Sequence, residues 1–205
     1  MVEDRYPATR GVPRPFLMTI DAAWHLDNAG LLPAAVHVPS PNFDDRPPDM
    51  AIELLVVHSI SLPPGQFGGP GIIDLFTNRL DPNGHPYYRQ IADARVSSHF
   101  LVRREGDLIQ FVPCNQRAWH AGTSEWRGRG RCNDFSIGVE LEGADDQAFA
   151  DSQYAVLAKL GSALMGKYPI RDCVGHSDIA MPPGRKTDPG PHFDWARFRA
   201  MLRKQ

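Results

Sequence analysis

IELLVVH (52–58) is the stretch whose reading decides the fold. Branched aliphatics in near-continuous succession suit a strand buried on both faces, with His58 at its end. Downstream, SLPPGQFGGPG (61–71) reads as a stiff, glycine-hinged loop, and IIDLFTNRL (72–80) has apolar spacings that predict a short helix, broken by DPNGHPYY (81–88). SSHFLVRR (97–104) and LIQFVP (108–113), separated by EGD, predict a β-hairpin. SIGVEL (136–141) alternates Ile137, Val139 and Leu141 with Ser136, Gly138 and Glu140. A strand there turns Glu140 away from its apolar row, onto a face that can floor a cleft. The clearest helix is 152–168, with Ser152 as cap, Tyr154, Leu157, Leu160, Gly161, Leu164 and Met165 on one face, and Pro169 as stop. Residues 170–175 read as a further strand, and DWARFRAMLR (194–203) as a closing helix that groups Trp195, Phe198 and Leu202. Strands and helices intermingle, which predicts an α/β fold with a central mixed β-sheet flanked by helices.

Upstream of the deciding strand, residues 1–15 are polar and proline-punctuated and carry no evident chemistry. Residues 19–38 show weak helical character around Ala22 to Leu26, interrupted by Gly30 and Pro33. The expected organisation is therefore an N-terminal arm, 1–39, partly irregular, over a single domain, 40–205.

The chain has 205 residues, 42% of them apolar and 22% charged, enough to bury a substantial core and ordinary for a globular protein. A net charge of -2 argues against general nucleic-acid affinity. The amino end lacks an apolar core of secretory length, and no run approaches the ~20 apolar residues of a membrane span. A cytoplasmic protein without a membrane partner is expected. Cys114, Cys132 and Cys173 form an odd set without CxxC spacing, which reads as buried reduced thiols rather than a disulfide framework or a cysteine metal cluster.

The chemistry concentrates in VGHSDIAMPPGRKTDPG (174–190). Pro182, Pro183, Gly184, Pro189 and Gly190 exclude regular structure, so His176, Lys186 and Asp188 are expected on a proline-stiffened loop. Zinc hydrolysis needs three protein ligands and one open position, and His58, His176 and Asp188 supply imidazole and carboxylate donors of the right kind.

Four motifs, VVHSISLPPGQFGGP (56–70), RVSSHFLVRREG (95–106), RAWHAGTSEWRGRGRCNDFSIGVELEG (117–143) and GHSDIAMPPGRKTDPGPHFDW (175–195), together resemble the zinc-dependent N-acetylmuramoyl-L-alanine amidases. The likeness is greatest to their cytoplasmic AmpD type, which recycles 1,6-anhydromuropeptides, and it runs from about residue 40 to residue 202. The resemblance implies that His58, His176 and Asp188 hold Zn2+, that Glu140 is the general base or water-orienting carboxylate, and that Lys186 stabilises the oxyanion. It further implies a small soluble muropeptide substrate and no obligate protein partner. Ser59 stands where close relatives of that family have asparagine beside the substrate, and the stretch between His176 and Asp188 is longer than the family's. Because a muropeptide stem carries carboxylates, which guanidinium forks match well, Arg95 and Arg131 are candidate substrate contacts.

Plainer readings stand beside these. His25, His37, His85 and His192 are taken as surface or hydrogen-bonded histidines, and His99 and His120 as cleft-lining or supporting ones. Glu142 shares Glu140's face and is the alternative carboxylate. Arg127, Arg129 and Arg131 form either a solvated loop or a substrate-gripping lip. A peptidoglycan-fragment binding or sensing module on the same fold is the competing function.

Overall fold

A computed structural model describes residues 22–204; residues 1–21, which include the polar amino end and the first part of the expected arm, lie outside the described residues. In chain order the elements are β1 (Val36–His37), β2 (Phe43–Asp45), β3 (Leu54–Ile60), α1 (Gly71–Phe76), β4 (Phe100–Val102), β5 (Leu108–Gln110), β6 (Gln116–Ala118), β7 (Glu125–Trp126), β8 (Arg129–Gly130), β9 (Ser136–Glu142), α2 (Asp151–Lys167), β10 (Asp172–Gly175), α3 (His176–Ile179) and α4 (Trp195–Leu202). Six strands form the central sheet in the order β1-β5-β4-β9-β3-β10. Only β4 and β5 pair antiparallel in it, as the predicted hairpin; every other neighbour is parallel. The mixed α/β sheet expected from the sequence is therefore present.

The position of β3 explains its unbroken apolar run. It lies between β9 and β10, and each of its faces meets a different packed layer. Leu55 and Val57 join Ile137, Val139, Leu141, Phe100 and Val102 beneath α2 and α4, whose Leu157, Leu160, Leu164 and Phe198 are buried against them. On the opposite face, Leu54 and Val56 pack with Val174, Phe135 and Ile179, while Leu101 and Ile109 pack with Ile72, Leu75 and Phe76 of α1. A fully buried leucine or phenylalanine contributes about 1.5–3 kcal/mol, so these layers fix the sheet from both sides. The second face of β9 is not apolar: Ser136, Gly138 and Glu140 lie there in the predicted alternation, all buried.

Three expectations change in detail. The first helix ends at Phe76, because Asn78 adopts φ 59, a left-handed conformation that a continuing helix does not admit. The second starts at Asp151, with Ala150 at its cap position. Ser152 does not cap it, since its hydroxyl donates instead to the Arg104 carbonyl; the Gln153 side chain accepts from the Ala150 N–H at 3.0 Å. His176 opens the short helix α3 rather than lying on an irregular loop, with Gly175 N–H donating to Asp178 Oδ2 at 2.7 Å. In α4, Asp194 Oδ1 accepts from Arg197 N–H at 2.9 Å, a side-chain cap that the sequence reading did not assign.

The described part of the arm enters the sheet. Val36 and His37 pair with Ile109 and Gln110, and Leu26 and Leu32 are buried in the main core. The Gln110 amide ties it down, accepting from Leu32 N–H at 2.8 Å and donating to Gly30 O at 2.8 Å. Beneath β9, the Arg46 guanidinium donates to the carbonyls of Cys114, Asn133, Asp134 and Ser136. That staple holds the 114–136 segment against the face on which Glu140 lies.

Candidate active site

Register assembles the site. In the β3–β9 ladder His58 stands directly opposite Glu140, so both side chains leave the same face of the sheet. In the β3–β10 ladder Gly175 stands opposite Val57, and His176 follows as the next residue, beside His58. Ligands of open α/β sheets gather at the carboxyl ends of parallel strands, and these three residues lie there. The 180–190 loop then brings Asp188 over them: its Oδ2 is 3.1 Å from His58 Nδ1 and 3.1 Å from His176 Nδ1. The donor atoms of the three residues all fall within 4.8 Å of one another.

The far nitrogens show what the near ones offer. His176 Nε2 is 3.1 Å from the Ala121 carbonyl, which can only accept, so the hydrogen of the neutral ring sits on Nε2 and Nδ1 presents a lone pair. That lone pair and a carboxylate oxygen face each other at 3.1 Å, an arrangement that a shared cation, proton or metal, holds together. Burial pushes the His58 imidazole down to about 4, opposed by its hydrogen bond to Asp188. Burial would raise Asp188, but contact with the His176 and His58 rings, and the positive charge those rings carry when protonated, outweigh it and hold the carboxyl below its ordinary range. Two imidazoles and a carboxylate converging on one point, with room beside them, fit a divalent cation of zinc's preferences.

That room is a cavity of about 700 Å³, lined near the three by Ser59, His120, Glu140 and Lys186, and farther out by apolar residues that include Leu75, Phe76 and Ile91. Glu140 is buried, and its Oε2 has no hydrogen-bond partner among the described residues. An unpaired buried carboxylate oxygen is costly unless something in the cavity meets it. Burial drives the Glu140 carboxyl well above its ordinary range, Asp188 raises it further and Lys186 opposes both. Glu142 is committed elsewhere: its Oε1 accepts from Arg103 at 3.0 Å and from Gly68 N–H at 2.7 Å, which latches the glycine-rich loop to the end of β9. Lys186 is exposed and shares the cavity with Glu140.

Arg95 and Arg131 are exposed and are not among the residues that line this cavity. Arg95 Nη1 is 3.5 Å from the Ala92 carbonyl, and Arg131 pairs with Asp134 at 3.0 Å. Arg127 and Arg129 are likewise paired, with Asp172 and Glu53. Ser59 does line the cavity, and its hydroxyl donates to Asp145 Oδ1 at 3.1 Å.

Two supporting residues escaped the sequence reading. Asp145 accepts from Ser59 on β3 and from Thr187, so it clasps the strand bearing His58 to the loop bearing Asp188. Arg185 donates to the carbonyls of Met181, Ala121 and Thr123, which pins the 181–187 stretch to the 121–123 segment. Neither lies in a residue pattern of its own. The GRKTD motif drew attention to Lys186 and Asp188, while two of Arg185's partners, the Ala121 and Thr123 carbonyls some sixty positions away, leave no trace in sequence.

Residues 48–191 match the N-acetylmuramoyl-L-alanine amidase family. The chain is 55% identical over 187 residues to the 1,6-anhydro-N-acetylmuramyl-L-alanine amidase AmpD of Citrobacter freundii, covering 90% of this chain and 95% of that protein. A crystal structure of a selenomethionine derivative of AmpD is similar with a TM-score of 0.83 and 57% identity, covering 86% of this chain and 98% of that one. The Escherichia coli amidase AmiD, solved with the substrate anhydro-N-acetylmuramic acid-L-Ala-D-gamma-Glu-L-Lys, is similar with a TM-score of 0.55 and 28% identity, covering 78% of this chain and 65% of that one.

Proposed function

Because this chain belongs to the N-acetylmuramoyl-L-alanine amidase family, we propose that it is a zinc enzyme of cytoplasmic cell-wall recycling that cleaves the amide between anhydro-N-acetylmuramic acid and L-alanine in soluble muropeptides. The observation that carries the reading is the convergence of His58 Nδ1, His176 Nδ1 and Asp188 Oδ2 beside a buried, unpaired Glu140 oxygen. The anhydro sugar enters through likeness to AmpD relatives named for it and to AmiD bound to such a substrate. The cytoplasmic setting rests on that likeness and on Cys114, Cys132 and Cys173 being free thiols.

His58, His176 and Asp188 would hold the zinc, which when bound acidifies a water and polarises the amide carbonyl. Cationic charge at the three ligands counters the burial that raises the Glu140 carboxyl, and so favours its ionised, basic form. Glu140 takes the proton of the attacking water and returns it to the leaving nitrogen of L-alanine. The Lys186 ammonium, across the same cavity, offsets the negative charge that grows on the carbonyl oxygen. Water adds across the amide, giving the lactyl carboxylate of the sugar and a free alanine amino terminus. Ser59 contacts the substrate from the end of β3, and Arg95 and Arg131 meet the carboxylates of the stem peptide. The partner is the soluble muropeptide alone, without nucleic acid, membrane or an obligate protein.

The test is incubation of the zinc-loaded protein with anhydromuropeptide and with intact sacculi, the products identified by mass spectrometry. Release of peptide with a free L-alanine terminus from the soluble substrate is expected. No release from either would favour a binding module, and a strong preference for sacculi would defeat the recycling role.

A further inference from the structure

Resting on the reading of His58 as a metal ligand, we infer that His120 is a positioning residue that sets which nitrogen of His58 faces the metal, with Ser136 as its far partner. His120 Nδ1 lies 3.0 Å from His58 Nε2, and His120 Nε2 lies 3.1 Å from Ser136 Oγ. The two imidazoles meet edge to face, centroids 5.1 Å apart at 85°.

The slot that holds His120 is built by β9. Ser136, Gly138 and Glu140 share one face of that strand, and the gap at Gly138 admits the ring: a Cβ there would lie 2.5 Å from His120 Cγ and 2.7 Å from Nδ1. No side chain fits at that separation, so glycine is required by close approach rather than by its backbone angles. From the other side, Asn133 Oδ1 accepts from the N–H groups of His120 and Ala121 at 3.2 and 2.8 Å, which fixes the backbone that carries the ring.

A neutral imidazole has one donor nitrogen and one acceptor. For His58 to offer a lone pair at Nδ1, its hydrogen must sit on Nε2 and needs an acceptor there. His120 Nδ1 is the atom in that place, and it accepts when His120's own hydrogen is on Nε2, directed at Ser136 Oγ. The usual supports of a metal-binding histidine are a carboxylate or a backbone carbonyl. An imidazole orients the ring as they do and, unlike a carboxylate, adds no negative charge, which leaves more of the metal's charge for the substrate carbonyl.

The measurement is zinc affinity by chelator competition on the full chain, with the melting temperature of the metal-free protein as fold control. His120→Phe fills the slot without an acceptor and is expected to weaken zinc binding about 10–100-fold. His120→Asn, whose Oδ1 falls near the Nδ1 position, is expected to stay within a few-fold of the parent. Equal affinity in the parent and His120→Phe overturns the inference, whereas a parent that binds no zinc overturns the metal reading instead. Should His120→Phe not fold, the zinc-loaded parent decides by long-range proton–nitrogen NMR: the hydrogen on His120 Nε2 is expected, and the hydrogen on Nδ1 overturns the inference.

Discussion

His58 and His176 approach the same Asp188 oxygen at the same distance, 3.1 Å, but their far nitrogens rest on different material. His176 leans on a backbone carbonyl, that of Ala121, which Arg185 also holds. His58 leans on a side chain, His120, seated in a slot of β9. A carbonyl survives substitution of its residue and only accepts, so one half of the site is set by the course of the chain. The other half depends on the identities of three residues, His120, Ser136 and Gly138, and point substitutions reach it directly.

Several substitutions can break or sharpen that contrast. Asp188→Ala removes the atom that both halves share. It is expected to abolish stoichiometric zinc binding and lower turnover by about 10³-fold or more, the equivalent of several kcal/mol of lost Lewis-acid stabilisation; measured zinc content near one per chain would break the picture of a common focus. Glu140→Ala leaves both histidine supports in place. Zinc should be retained while kcat falls about 10²–10⁴-fold, and a fully active variant would remove Glu140 from the proton-transfer role.

Acid should destabilise the fold through its buried histidines. Burial lowers His58 to about 4 and His99 to about 3, whereas the unfolded chain protonates its histidines near 6.5. Between those values the unfolded state binds more protons, so the stability of the metal-free protein rises with pH and is lost as pH falls from 6.5 towards 4, by a few kcal/mol. Thermal melts across that range check it; a flat profile would mean that these rings are not buried neutral. The smallest effect expected is that of Arg185→Ala. It touches only the backbone-held half, and the loss of hydrogen bonds worth about 0.5–1.5 kcal/mol each should weaken zinc roughly three- to tenfold, visible in the same chelator competition.

What the sequence disclosed follows the range of the interactions concerned. The buried strand, the alternation that turns Glu140 to the cleft, the hairpin and the long helix are local patterns, and they reappear with shifts of a few residues. The cap at Ser152 did not, because a hydroxyl suited to capping donates to the Arg104 carbonyl of a distant loop. Likewise the choice between Glu140 and Glu142, identical by alternation, turns on Arg103 and Gly68 finding one of them. His58, His176 and Asp188 were legible through motif resemblance. Their supports at Ala121, Asp145 and Arg185 were not, since each is defined by a partner far off in the chain.

The pairing register has a consequence for how such a chain can change. Val36, Ile109, Leu101, Glu140 and His58 form one transverse row across five strands, and His176 stands at its end. A one-residue deletion inside β3 or β9 would send His58 or Glu140 through the sheet into the packing beneath α2, whereas the 181–187 stretch can lengthen outward without disturbing the row. The molecule thus separates positions where length is negotiable from positions where it is not.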